Sequence, residues 1–251
     1  IALDDTVAED AQIAAMVGSY TQRIQTEYLE PLGVTGDATA DFAVSAYDFP
    51  DGDHMCLSLQ NYAFGALITD AYFDGLTKAG QSDVAVAVVP VGFVRNGLYK
   101  GKLQMMDIYN ALGYGISPLD GTSGAPICTF YLSGRELYDV CETSVSLSAM
   151  MNTVQMLLGG LRFEYSNARL PLDRVYRVEA RSPSTGEYEA VQRDEATLYK
   201  VAVSWTAMQN LSLLGAKSFG LLSVTPKDAN GVPYASDALQ QTVVLRSNDV
   251  E

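Results

Sequence analysis

Asn61-Tyr62-Ala63-Phe64-Gly65-Ala66-Leu67-Ile68-Thr69-Asp70-Ala71 is followed by Asp83-Val84-Ala85-Val86-Ala87-Val88-Val89-Pro90-Val91-Gly92-Phe93-Val94-Arg95, with Gly101 soon after. In the first stretch Phe64, Leu67, Ile68, Ala71 and Tyr72 recur at three- and four-residue spacing, which predicts a helix with one buried face, stopped at Gly75. The second stretch is apolar, β-branched and too short to cross a membrane, and predicts a buried strand. Its Pro/Gly turn delivers one arginine, Arg95, at the strand's carboxyl end, where open α/β sheets bind ligands.

Upstream, Asp4-Asp5-Thr6 offers a cap, and Ile13, Met16, Val17, Tyr20, Ile24 and Tyr28 fall on one helical stripe that Pro31 and Gly33 end. Such a stripe predicts an amphipathic first helix packed on the core. Phe42, Val44 and Ala46 alternate as a short strand, and Asp48 to His54 is an acidic turn. Downstream, Met105 to Leu112 predicts a short helix, and Gly113 to Ala125 a Gly/Ser/Pro loop. Pro126 to Leu132 predicts a strand feeding a helix over Arg135 to Glu142. Leu161, Phe163 and Tyr165 alternate, as do Val175, Arg177 and Glu179, and Ser184-Thr185-Gly186 is a hairpin turn between strands. Leu198 to Val203 predicts a strand, Ala207 to Leu214 a helix ended by Gly215, and Phe219 to Val224 another strand. Asp237 to Arg246 fits helix or strand. No internal repeat or low-complexity linker interrupts this order.

The opening pair of segments, with its Gly-x-Leu-Ile-x-Asp-Ala helix, apolar strand, arginine-bearing turn and Asp107-Ile108-Tyr109 helix start, resembles the C-terminal domain of the 5'-nucleotidase and UDP-sugar hydrolase family of metallophosphoesterases. The resemblance continues through Leu132-Ser133-Gly134-Arg135-Glu136-Leu137, Gly159-Gly160-Leu161-Arg162-Phe163-Glu164-Tyr165, Arg174-Val175 and Tyr199-Lys200-Val201-Ala202-Val203. It implies an α+β fold, a mixed β-sheet layered with α-helices, in which residues 1–36 are a linking helix and loop and 37–251 the domain proper. By the same resemblance the domain sets substrate specificity. The chemistry falls to divalent metals in an N-terminal metallophosphoesterase domain of the same parent chain, so no cofactor is expected in this one. The expected ligand is a nucleotide or nucleoside-like small molecule, and the expected location extracytoplasmic.

Composition narrows the alternatives. At 251 residues, 48% hydrophobic and 18% charged, the chain has an ordinary globular makeup and room for one domain or two. It begins with Ile1, which fits a fragment or a processed chain. Sixteen Lys and Arg against 30 Asp and Glu leave a net charge of −14, which opposes binding to nucleic acid or anionic lipid. No apolar run reaches the length of a membrane helix. Cys56, Cys128 and Cys141 lack paired spacing and read as buried thiols more plainly than as a disulfide.

A two-metal phosphoesterase centre needs several histidines and aspartates converging on its ions, and this chain has one histidine, His54. The Asp48, Asp51, Asp53, His54 cluster lacks the spacing of a calcium loop. Gly121-Thr122-Ser123-Gly124 is no nucleophile elbow, and no glycine-rich stretch spells a phosphate-binding or dinucleotide motif.

Binding is the stronger expectation. The resemblance places Arg95 at the family's nucleotide-contacting arginine, and a guanidinium fork suits phosphate or ribose oxygens. The alternative is an arginine that ties the turn down through carbonyl hydrogen bonds. Of the family's two base-stacking aromatics, the first falls near Ile127, which cannot stack. The second falls near Trp205-Thr206, where Trp205 is a substitute or a core residue. Tyr114 is a further aromatic candidate, and Asn61 stands in place of the family's glutamate. The small residues normally found before the arginine are replaced by Pro90-Val91-Gly92-Phe93, which crowds the approach of a ligand. A second reading follows from these departures: a noncatalytic surface or interaction module that keeps the fold without nucleotide binding.

Overall fold

The structure, a computed structural model, describes residues 8–30, 36–38, 63–113, 115–122, 124–147, 155–211, 220–246 and 249. In chain order its elements are α1 (Ala11–Ile24), β1 (Gly36–Ala38), α2 (Ala63–Lys78), β2 (Val86–Pro90), β3 (Gly101–Leu103), α3 (Met105–Ala111), β4 (Ile127–Ser133) and α4 (Gly134–Glu142). They continue as β5 (Met156–Gly159), β6 (Leu161–Tyr165), β7 (Val175–Arg181), β8 (Tyr188–Ala190), β9 (Leu198–Ser204), α5 (Trp205–Gln209) and β10 (Val243–Leu245).

The apolar run around Val86 is a central strand because both its faces are covered. Val86 and Val88 point into one core cluster, with Phe130, Leu137, Val178 and Val201, while Ala87 and Val89 point into a second, with Phe64, Ile68, Tyr72 and Leu76. The strand belongs to a five-stranded sheet of order β10-β4-β9-β2-β5. Within it β2 and β9 run parallel and the other neighbours antiparallel. Helix α2 covers one face. Helix α4, backed by the antiparallel sheet β6-β7-β8, covers the other. This is the expected α+β architecture, a mixed sheet layered with helices.

Helix α2 differs from its expectation in extent and in rotation. It runs past Gly75 to Lys78, and Gly75 serves close packing: a Cβ there would lie 3.1 Å from the Leu245 side chain of β10. Its buried face is Phe64, Ile68, Thr69, Tyr72 and Leu76, whereas Leu67 and Ala71 are exposed. Thr69 is selected over Leu67 because it meets the bare backbone of Gly159 on β5 and returns its hydroxyl to the Gly65 and Ala66 carbonyls.

Helix α1 is capped by Asp10, whose carboxylate accepts the Gln12 and Ile13 amides, rather than by Asp4 to Thr6, which lie outside the described residues. Its stripe does not pack on the core: Ile13, Met16, Val17, Tyr20 and Ile24 are 40–58% exposed. A π-helical turn, Gln25–Leu29, continues it. Two expected elements, the strand at Phe42 to Ala46 and the acidic turn at Asp48 to His54, also lie outside the described residues.

Helix α4 carries three buried carboxylates, one per turn: two accept amides from the 223–225 segment and the third from 174–175. Ser133 and Glu136 close a reciprocal capping box. Glu136 also accepts the Thr225 amide at 2.9 Å and the Lys227 ammonium at 2.5 Å. Asp139 accepts the Ser223 amide at 3.0 Å. Glu142 accepts the Val175 amide at 2.8 Å, the Arg174 amide at 3.1 Å and the Ser146 hydroxyl at 2.5 Å. This arrangement explains why Leu221 to Val224 is not the expected strand: side-chain carboxylates take the amides that a sheet partner would have taken. Asp237 to Arg246 resolves into a 3₁₀ turn, Leu239–Thr242, followed by β10. Cys128 on β4 and Cys141 on α4 are fully buried free thiols.

Candidate functional site

Because β2 and β9 are parallel neighbours, with Val88 beside Val203, both chains leave the sheet at the same edge. After β2 the chain makes a 3₁₀ turn, Val91–Phe93, in which Val91 is buried and the Val94 amide closes on the Val91 carbonyl at 2.9 Å. Arg95 follows. Its amide donates to the Ala111 carbonyl at the end of α3, 2.8 Å away, so the backbone is fixed while the side chain is exposed. Among the described residues the guanidinium has no hydrogen-bond or ion-pair partner; the alternative role, tying the turn through carbonyls, falls to the Arg95 amide instead.

After β9 the chain turns at once into α5, with the Ser204 hydroxyl accepting the Ala207 amide as its cap. Trp205 is the first residue of that helix, which starts two residues before the expected Ala207. The indole is 6% exposed and packed among the core residues that include Val203 and Met208. Its Nε1 is buried without a partner among the described residues. A ring so placed presents little face to a ligand, and the half-buried Thr206 comes next. Tyr114 and Asn61 lie outside the described residues.

Both residues border one loop. The Arg95 amide holds Ala111 just before the segment joining α3 to β4, and the Trp205 amide holds Pro126, the last residue of that segment, at 2.7 Å. The structure therefore brings Arg95 and Trp205 to the two ends of the glycine-rich loop predicted from Gly113 to Ala125. Ile127, opposite Ser204 in the β4–β9 register, begins the strand that leaves this loop. A further feature, legible in the sequence as a run of charge, was not among the expected site residues. From Arg95 to Lys102 the chain carries Arg95, Lys100 and Lys102 and no acid, within a molecule of net charge −14. Local positive charge of this kind suits an anionic group on a small ligand. Among the described residues no three His, Cys, Asp or Glu side chains gather as a metal ligand set.

The domain is a three-layer α+β fold with an exposed arginine at the carboxyl end of paired parallel strands. Its family is more specific: the family model of the 5'-nucleotidase C-terminal domain matches residues 37–212, and the chain belongs to that family. An apyrase from Anopheles gambiae is 26% identical over 182 residues, which cover 72% of this chain and 28% of the apyrase. Among solved structures, a 5'-nucleotidase precursor from Thermus thermophilus is similar with a TM-score of 0.60 at 20% identity, over 94% of this chain and 41% of that one. A putative 5'-nucleotidase from Staphylococcus aureus, solved with alpha-ketoglutarate, is similar with a TM-score of 0.53 at 14% identity, over 91% and 40%. These likenesses show the shared fold. The chain spans 28% to 41% of the length of these relatives.

Proposed function

We propose that this domain binds the organic part of a phosphate-ester substrate, a nucleotide or a related compound, for a 5'-nucleotidase-like phosphoesterase. Catalysis in that reading rests on divalent metals held by an N-terminal metallophosphoesterase domain of the same parent chain. With His54 as its one histidine, the present sequence does not supply a two-metal donor set. An extracytoplasmic setting and a role in nucleotide breakdown belong to the same proposal, as does a linking role for α1.

One observation carries the reading: the Arg95 guanidinium is exposed at the sheet edge with no partner among the described residues, in a segment that is locally basic within an acidic molecule. A fork of parallel N–H groups held on a fixed backbone is suited to phosphate or to vicinal ribose hydroxyls. Isothermal calorimetry with AMP, adenosine and UDP-glucose tests it. AMP or a related nucleotide binds the isolated domain, and Arg95→Ala weakens that binding.

A second reading, a noncatalytic surface or interaction module, draws support from the burial of Trp205 and from Ile127 at the other stacking place. Silence from all three ligands at millimolar concentration favours it. Isolated-domain phosphatase activity with added Mn²⁺ contradicts both readings.

A further inference from the structure

The segment between α3 and β4 is tied in its middle as well as at its ends, by a residue far along the chain. Its described part folds on itself: Ser117 donates its amide to the Thr122 carbonyl at 2.8 Å, Gly121 to Ser117 at 2.9 Å, and Gly124 to Gly115 at 2.8 Å. Asp120 is the hub. Its carboxylate accepts the Thr122 hydroxyl at 2.8 Å and the Thr122 amide at 3.1 Å, and pairs with the Arg246 guanidinium. Thr122 first, then Ser117 and Arg246, hold the Asp120 carboxyl well below the usual carboxylate range. Arg246 reaches it because Leu245 pairs with Ile127, which sets the end of β10 beside the point where the loop re-enters the sheet.

We infer that Arg246 is a positioning residue: through Asp120 it fixes the 115–122 turn at the edge where Arg95 emerges, and so presets the ligand-facing rim. An ion pair near the surface adds little to global stability, so the effect of this one is local. Its consequence is preorganisation, since a rim that is ordered only on binding takes its ordering cost out of the affinity. The ligand part of the inference rests on the reading of Arg95 as a ligand contact. The conformational part does not.

The test compares wild type with Arg246→Ala and Arg246→Lys. It measures hydrogen exchange over residues 115–122, melting temperature, and AMP affinity by calorimetry. In Arg246→Ala, exchange over 115–122 speeds up by about tenfold while exchange in β2 and β9 stays unchanged. The melting temperature moves by no more than about 2 °C, and the Kd for AMP rises by about fivefold. Arg246→Lys, which keeps a cation for Asp120 while Asp120 keeps its Thr122 bonds, restores a large part of both exchange and affinity. Unchanged exchange over 115–122 in Arg246→Ala overturns the inference whatever AMP does, and so does faster exchange with AMP affinity intact. Faster exchange in a protein whose wild type binds no AMP removes the Arg95 reading and leaves the Arg246 tether standing.

Discussion

Val88 of β2 lies beside Val203 of β9 in parallel register, and that one pairing sends Arg95 and Trp205 out of the sheet at the same edge. Strands β4 and β5 run antiparallel to these two, so their starting residues, Ile127 and Met156, stand at the same edge opposite Ser204 and Pro90. The candidate site is a consequence of this topology before it is a consequence of any single side chain.

Glu142 takes two backbone amides from the start of β7, and it is 4% exposed. Glu142→Ala leaves both amides and the Ser146 hydroxyl without their shared acceptor. Bonds to a buried carboxylate are worth about 1.5–3 kcal/mol each in context, and the expected loss in urea unfolding is about 3 kcal/mol. A loss below about 1 kcal/mol would show that the carboxylate is not what seats β7.

Asp139 gives the fold a pH dependence with a definite sign. Burial raises its carboxyl above the usual value of 3.8, against the lowering effect of the Ser223 amide and of Arg135 and Arg193. The folded state therefore holds this proton more tightly than the unfolded chain. Its contribution to stability falls as pH rises from the ordinary carboxylate value through the raised one. Asp139→Asn keeps an acceptor for Ser223 and removes the buried charge, so it is more stable than wild type at pH 7. That advantage shrinks to nothing below about pH 4. Paired urea titrations at the two pH values check it; an advantage equal at both contradicts the assignment.

The two described thiols are inert in the native state. Burial pushes Cys128 up to about 12 and Cys141 well above its usual value. In a Cys56→Ser variant a thiol reagent at pH 8 reacts with neither until denaturant is added, and then with both. Rapid native labelling of either residue contradicts the packing of β4 against α4.

Gly160 turns the chain from β5 into β6 with φ at +71°, and a Cβ there would run into the Ala85 carbonyl oxygen. The left-handed backbone and the close approach act together. Gly160→Ala is expected to cost about 3 kcal/mol or more, read as a lowered denaturation midpoint, or to prevent folding. A neutral result contradicts the junction between the two sheets.

Much of this fold is visible in the chain because its strands carry strong local signals. The Val84–Val91 run announces a buried strand, β6 and β7 follow from alternation, and the Ser184-Thr185-Gly186 turn marks the end of β7, while the short β8 carries no such signal. What stays hidden is set by nonlocal partners. Leu67 and Thr69 exchange places on α2 because a glycine of β5 waits opposite, and Leu221 to Val224 loses its strand because α4 supplies acceptors from far away in sequence. The α1 stripe is legible as a pattern, yet a pattern does not say what it meets. At the site, Arg95 follows from strand and turn chemistry. The burial of Trp205 does not, since an indole serves core and clamp with the same local sequence. The Asp120–Arg246 pair links residues whose approach depends on β10 pairing with β4.

The proposed function stands on Arg95 as the ligand contact. Calorimetry with AMP on wild type, Arg95→Lys and Arg95→Ala, each shown folded by the same melting temperature within about 2 °C, tests it most directly. Wild type is expected to bind, Arg95→Ala to lose at least about tenfold in affinity, and Arg95→Lys, which keeps the charge and loses the fork, to fall between them. Equal affinity in all three proteins, or no binding by wild type to AMP, adenosine or UDP-glucose at millimolar concentration, contradicts it.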